Sequence, residues 1–346
     1  MKLLIITQKV SKNDTILGFV HRWIVEFSKT FDSIVVICLE KGEYDLPGNV
    51  KVLSLGKEER QSRIQYLIHF YWYIQHERKN YDAVLVHMNE EYAFLAGWLW
   101  RLWGKKVAMW RNHPSGSIFT DIAAMFCNKV FCTSKYSYTA KYKKTTLMPV
   151  GIDTDIFKPS NVKKTPHSIL FLARIAPFKR PDIFIDSLNI LKNKGVKFTA
   201  SIYGDPLPKD VEYYESLKVK ASEFGLNGNL SFCAGIPNEQ TPSIYSAYDI
   251  FVNLSPSGMY DKTIFEAMAC GCLSLSSNKN LTGIVSPALL FEEANKEDLA
   301  SKLEALIKIS ETEKEANRLN SLQLTRSRHS LSALAEMLRD SIQTIK

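Results

Sequence analysis

Apolar positions in the first part of the chain fall into short runs, at residues 2–7, 32–39, 50–55, 83–87, 106–110, 130–133 and 146–149. Between them lie stretches with helical spacing. Residues 18–30 place Phe19, Trp23, Ile24 and Phe27 on one face, 62–78 carries aromatic residues on several sides, and 91–103 is apolar around Arg101. Short buried runs alternating with helical spacing predict βαβ units and a parallel sheet. A turn-rich stretch at 150–160, followed by polar residues 161–167, marks a domain boundary. The alternation then restarts. Strands are expected at 168–173, 197–204, 230–234, 250–254 and 273–276, and helices at 181–193, 213–224, 239–248, 263–270 and 296–310. The expected fold class is α/β: two doubly wound, Rossmann-like parallel-sheet domains facing a central cleft, with ligand where strand ends meet.

With 346 residues, the chain has room for two domains, each with its own core. An apolar content of 45% and a charged content of 23% are ordinary for a folded protein and argue against disorder. No apolar run reaches the ~18–20 residues of a membrane-spanning helix, and the N-terminal run is too short for a secretory leader. The six cysteines lack metal-ligand spacing and read as buried reduced thiols, which points to a cytoplasmic protein. The net charge of +8 lies entirely in residues 1–150, with 21 basic against 13 acidic side chains, while the remainder balances 23 against 23. Lys135, Lys141, Lys143 and Lys144, interleaved with Tyr136, Tyr138 and Tyr142, form the densest run. Such a field suits a phospholipid surface, a lipid diphosphate or nucleic acid, or is simply a solvated face. No nucleic-acid recognition motif accompanies it, so nucleic acid is not expected as a partner.

Two segments carry candidate chemistry. Arg174 ends an expected strand, and Lys179 follows Pro177 just before a helix that opens near Pro181. Both cations would project from a βα loop at the carboxyl edge of the sheet, where a guanidinium fork and an ammonium suit phosphate oxygens. Later, Ser255-Pro-Ser-Gly258 forms a loop before a helix bearing Glu266 among small and apolar neighbours. A carboxylate in such company needs donors, and a sugar diol supplies two, although a solvent-facing Glu is the plainer reading.

The ordered series Pro149-Val-Gly-Ile-Asp-Thr-Asp-Ile-Phe-Lys-Pro159, Phe-Leu-Ala-Arg174 with Lys179, Gly204, Phe-Cys-Ala-Gly235, Tyr245-Ser-Ala-Tyr-Asp-Ile-Phe-Val252 and Glu266-Ala-Met-Ala-Cys-Gly271 resembles the retaining nucleotide-sugar glycosyltransferases of family four, which have the GT-B fold. The resemblance covers about residues 149–305 and is looser over 1–148. It implies that Arg174 and Lys179 hold the donor diphosphate and stabilise it as leaving group, that Glu266 binds donor ribose, and that Gly235 belongs to the base-side loop. It also implies an acceptor domain at 1–150, a donor domain at 151–329 and a helix at 330–346 that returns to the first domain. The family's first glutamate, eight positions before Glu266, is here Gly258, and its Gly-Phe-Gly run is Met259-Tyr260-Asp261. Asp261, Lys262 and Thr263 are therefore candidates for the altered donor contacts. In the first domain Gly18 would let backbone approach the donor phosphates, and His113 takes the place of a histidine beside the donor sugar. His21, His87, Glu90 and Glu91 are candidates for the acceptor pocket or for ordinary packing. Trp98, Trp100 and Trp103 would pack a helix on the sheet or sit at a membrane interface.

The function so implied is metal-independent, retaining transfer of a sugar from a UDP- or GDP-sugar to a hydroxyl of a glycan or lipid-linked acceptor, in cell-surface polysaccharide or glycolipid synthesis. No cofactor is expected, the nucleotide sugar being a co-substrate, and the basic first domain suggests contact with an anionic membrane at its inner face. A nucleotide-sugar epimerase and a non-catalytic sugar-nucleotide binding protein are the alternatives.

Overall fold

The structure, a computed structural model, describes residues 1–14 and 17–345, so Lys346 of the expected last helix segment lies outside it. The chain forms two compact units, Met1–Gly151 joined by the segment from Leu331, and Ile152–Ser330.

In the first unit the elements run β1 (Lys2–Val10), α1 (Gly18–Ser28), β2 (Ser33–Lys41), β3 (Val50–Ser54), α2 (Arg63–His76), β4 (Ala83–His87), α3 (Glu90–Leu102), β5 (Lys106–Trp110), α4 (Ile118–Phe126), β6 (Lys129–Cys132) and β7 (Thr145–Leu147). The strands make one parallel sheet of seven in the order β3-β2-β1-β4-β5-β6-β7. Both faces are covered, which is why the strands read as continuous apolar runs. Phe70, Tyr92, Trp100 and Ala123 of α2, α3 and α4 fill one side. Trp23 and Phe27 of α1 fill the other.

The second unit contains β8 (Thr165–Leu172), α5 (Pro181–Asn193), β9 (Thr199–Tyr203), α6 (Val211–Glu223), β10 (Leu230–Cys233), α7 (Thr241–Ala247), β11 (Tyr248–Asn253), α8 (Lys262–Ala269), β12 (Leu273–Ser276), α9 (Lys296–Lys308) and α10 (Glu311–Arg328). Its parallel sheet has the order β10-β9-β8-β11-β12. The strand order reverses between β8 and β11, and such reversals open a crevice beyond the carboxyl ends of the two strands.

The last helix, α11 (Leu331–Gln343), belongs to the first unit. Its stripe of Leu331, Leu334, Leu338 and Ile342 joins the core beneath α1. Gly151 makes this junction close. Its φ of +76° favours glycine, and a Cβ there would lie 2.4 Å from Leu334 and 3.0 Å from Trp23. The Trp23 indole N–H donates to the Gly151 carbonyl at 3.1 Å.

Helices α4 and α10 were not anticipated from the sequence pattern. Helix α10 is mostly polar and is tied down by charge through Lys314 and Arg318, both buried. Helix α4 is short and reads as an apolar run of ambiguous period.

Candidate functional site

In the second unit the segment after β8 and the loop after β11 leave the sheet at its reversal point. Ala173 and Ile175 N–H groups donate to the carbonyls of Tyr203 and Asp205, both at 3.1 Å, so the chain around Arg174 continues along the sheet edge. That pairing requires Gly204. Its φ is +154°, and a Cβ would stand 1.9 Å from the Ala173 carbonyl oxygen. Among the described residues the half-buried Arg174 makes no hydrogen bond or ion pair, and its Nε is buried without a partner. Its guanidinium lies 5.4 Å from the centre of the Phe178 ring.

Pro177–Lys179 forms one tight turn, and Arg180 adopts a left-handed conformation with φ 56° immediately before Pro181 opens α5. A non-glycine residue held left-handed before proline is strained, and such strain gathers at binding loops. The turn aims Lys179 at the loop after β11. Its ammonium pairs with Asp261 and donates to Ser255 Oγ at 3.0 Å.

Asp261 caps α8, accepting from the Thr263 N–H at 3.3 Å. It also accepts from Ser255 Oγ at 2.6 Å and Asn253 Nδ2 at 3.3 Å, and Asn253 reaches Thr263 Oγ1 at 3.2 Å. Burial pushes the Asp261 carboxyl up. The Lys179 ammonium, by its charge and its hydrogen bond, and the Ser255 and Asn253 hydrogen bonds outweigh that and hold it well below the usual carboxylate range. Lys262 is the first residue of α8 and is half-buried.

Glu266, on the second turn of α8, is 5% exposed, so it does not face solvent. Asn238 Nδ2 and the Tyr245 hydroxyl donate to its two oxygens, each at 3.3 Å. Tyr245 is fully buried. Burial, then the nearby Glu266 and Asp261 carboxylates, drive its hydroxyl pKa well up, so it remains a donor. Gly235 precedes the Asn238 turn, and a Cβ there would stand 2.6 Å from Asp205 Oδ2. The loop holding buried Gly258 is fixed from outside. Asn278 and Asn280 donate to the carbonyls of Met259 and Ser257 at 2.8 Å, while Ser257 Oγ donates to Glu293, which pairs with Arg180 at 3.2 Å.

The structure therefore brings Lys179, Asp261 and Thr263 into direct contact, with Arg174 flanking Phe178 and Glu266 one helical turn beyond. Asn253, Asn238, Asn278 and Asn280 were not singled out from sequence, whereas Glu293 lies in Leu289-Leu-Phe-Glu-Glu293, which resembles the family's segment before the next helix. Isolated amides have no periodicity, and the only available signal was their position at the end of a strand, for Asn253, or in loops that follow strands.

The first-unit candidates are carried by α1, β4, α3 and the loop after β5. Gly18 is buried at the start of α1, where a Cβ would lie 3.3 Å from the Lys12 carbonyl. His113 is exposed after β5, its Nδ1 accepting from the Ser115 N–H at 3.0 Å. Its loop is braced by Arg111, which donates to the Ser115 carbonyl at 2.7 Å and pairs with Glu90. His87 is buried against Phe19, Trp23 and Trp110, with Thr7 Oγ1 3.1 Å from Nδ1. His21 Nε2 accepts from the Asp45 N–H at 3.1 Å, and burial lowers its pKa. Glu91 is exposed and accepts from Asn89 at 3.0 Å. Trp100 is wholly buried, Trp103 partly so, and Trp98 is 49% exposed. Among the described residues no group of three or more His, Cys, Asp or Glu side chains is placed to hold a metal ion.

Residues 153–321, which contain this constellation, match the family model described as Glycosyl transferases group 1. The chain belongs to the group 1 glycosyltransferases. Its two parallel sheets have the GT-B fold of that family, called family four in the other common numbering. This group 1 chain is 24% identical over 231 residues to the phosphatidylinositol N-acetylglucosaminyltransferase subunit of Arabidopsis thaliana, over 59% of the chain and 50% of that relative. The chain thus spans half the length of that curated relative. Crystalline HepE of Anabaena, in complex with UDP and glucose, superimposes with a TM-score of 0.78 at 18% identity over 99% of this chain and 100% of that one. The apo lipopolysaccharide outer core galactosyltransferase WaaB superimposes at 0.71 with 16% identity over 99% of each chain.

Proposed function

We propose that the protein transfers a sugar, with retention at the anomeric carbon, from a nucleotide-sugar donor to a hydroxyl of a glycan or lipid-linked acceptor. The observation that carries this reading is the cation pair at the reversal point of the second sheet. Arg174 has a buried Nε with no partner, beside a Lys179 that spends two of its three N–H donors on Asp261 and Ser255. A diphosphate placed there would complete both. In the proposed reaction the bond from the sugar C1 to the β-phosphate oxygen breaks, and its electrons pass to that oxygen. Arg174 and Lys179 stabilise the charge where it develops. The acceptor hydroxyl bonds to C1 on the face the phosphate leaves, and its proton goes to the departing phosphate. Glu266, steadied by Asn238 and Tyr245, accepts from the donor ribose hydroxyls.

Crystalline HepE with UDP and glucose supports a uridine donor as the first to test. The phosphatidylinositol and lipopolysaccharide names of two relatives support a lipid-linked acceptor in glycolipid or cell-surface polysaccharide synthesis. Within this reading the protein works from the cytoplasm at the inner membrane face. Among the described residues no helix is long and apolar enough to cross a membrane.

The test is a thermal-shift screen of the full chain against UDP-, GDP- and ADP-sugars, followed by nucleotide release with candidate acceptors. A donor at a hundredfold over its Kd adds about 2.7 kcal/mol of apparent stability. Wild-type turnover in an Arg174→Ala variant would overturn the assignment. Gly258, standing where the family has a glutamate, favours one second reading, a sugar-nucleotide binding protein without turnover. Saturable donor binding with neither hydrolysis nor transfer across acceptors would establish that instead.

A further inference from the structure

Helix α2 is apolar on two opposite sides. Phe70 and Ile74 point into the core, yet Ile64, Leu67, Ile68, Tyr71 and Trp72 form a second stripe at helical spacing that faces outward. Ile64, Ile68 and Trp72 on that stripe are 71%, 60% and 57% exposed. A helix that is apolar all round normally lies inside a protein or against lipid, and α2 has only one side covered by this chain. The stripe is not isolated. The Tyr71 hydroxyl donates to the Leu95 carbonyl of α3 at 3.1 Å, and α3 exposes Trp98 and Leu102 one turn apart. Phe94 of α3 meets Phe119 of α4 edge-on at 5.7 Å, and α4 leaves Ile118, Phe119 and Met125 each more than half exposed. All three helices cover the same face of the seven-stranded sheet, so their outer sides form one surface. Exposed apolar side chains gathered on one surface mark interaction sites, membrane sites among them.

The charge on this surface selects the occupant. Residues 63–76 contain no carboxylate and begin with Arg63, and α3 beyond Glu91 carries only Arg101, between Trp98 and Leu102. The one carboxylate of α4, Asp121, is taken by Lys141 at 2.8 Å and by the hydroxyls of Tyr138 and Tyr142. Lys144 stands at the end of α4, donating to the Cys127 carbonyl at 2.8 Å. Aromatic and aliphatic side chains bordered by cations, with the acid neutralised, match the acyl–headgroup boundary of an anionic bilayer. A protein partner would require complementary apolar surface but no such bias in charge.

We propose that the outer side of α2, α3 and α4 is a bilayer-docking face, seating Ile68, Trp72, Trp98, Leu102 and Phe119 in the interface of an anionic phospholipid membrane. This deepens the lipid-linked-acceptor reading by naming the surface that would bring the protein to such an acceptor. Its test measures binding alone, so it succeeds or fails independently of turnover.

The experiment is flotation of the full chain with vesicles of phosphatidylcholine alone and of equal parts phosphatidylcholine and phosphatidylglycerol, at low and raised salt. The wild type should float with the anionic vesicles, less so as salt is raised. The exposed double substitution I68E/W72E should reduce the bound fraction at least about tenfold while its thermal melt stays that of the wild type. The paired substitution R63Q/R101Q should weaken anionic binding without creating preference for neutral vesicles. Absence of wild-type binding to either vesicle would overturn the proposal, as would equal binding by I68E/W72E. So would concentration-dependent dimers that I68E/W72E abolishes in a protein that ignores vesicles, because the face would then serve a second copy of the chain.

Discussion

Strand β11 starts at one buried ion cluster and ends beside another. At its start Asp249 receives Lys314 at 2.8 Å and Arg318 at 2.5 Å, both from α10, together with the His167 N–H at 3.2 Å. Lys314 and Asp249 are each 1% exposed, so this cluster is closed and its charges answer one another. Beyond its other end, Asp261 holds Lys179 with side chains 11% and 14% exposed, and Arg174 nearby keeps a buried Nε unanswered. Six residues of strand thus separate a cluster in which both cations are ion-paired, though the Arg318 Nε is left over, from one in which Arg174 has no ion pair among the described residues. The difference follows strand direction, because in parallel sheets the carboxyl ends meet ligands and the amino ends meet neighbouring helices.

The contrast breaks most readily at the closed end. Lys314→Ala leaves Asp249 buried with half its neutralisation lost, and should cost about 3–5 kcal/mol of unfolding free energy in a urea titration. Arg174→Ala should do the reverse, leaving the urea midpoint in place while turnover falls about 10²–10³-fold. If Arg174→Ala instead unfolds the protein, the two ends are alike and the reading of the open end fails. Asp261→Asn keeps the size of the cap and removes the charge that fixes Lys179. We expect donor kcat/KM to fall about tenfold or more through misplacement of that cation, together with some loss of stability because the lost charge is one the fold stabilises. Loss of stability with untouched kinetics would make Asp261 another Asp249.

The smallest effect concerns acid. Burial raises the Asp249 carboxyl, but its hydrogen bond and charge contact with Lys314, the His167 N–H and the Arg318 charge outweigh it, so its folded pKa lies below the usual value. A depressed carboxylate contributes stability that is complete above the unfolded value, about 3.9, and is lost as pH falls through the folded one. Unfolding free energy should therefore hold steady above pH ~5 and fall below pH ~4, less steeply in Lys314→Ala than in the wild type.

The architecture was largely legible because each strand of a doubly covered parallel sheet is an unbroken apolar run, as at Leu3–Ile6 or Ile250–Val252. Helix α10 was not, since its place is set by Lys314 and Arg318 reaching Asp249, a charge contact spanning 65 to 69 residues that no local period encodes. The site divides in the same way. Arg174 and Lys179 stood out by their position after a strand, whereas the Lys179–Asp261 pair joins residues 82 positions apart. The outward stripe of α2 was visible only as aromatic residues on several sides, because a sequence does not say which apolar side of a helix is covered.

The return of α11 to the first unit also sets an order of assembly. Ile152–Ser330 is one uninterrupted stretch, able to close its core while synthesis continues, whereas the first unit must wait for its final strip. Until Leu334 and Leu338 emerge from the ribosome, Trp23 and Phe27 have no cover on that side, and the segment made first is the one completed last.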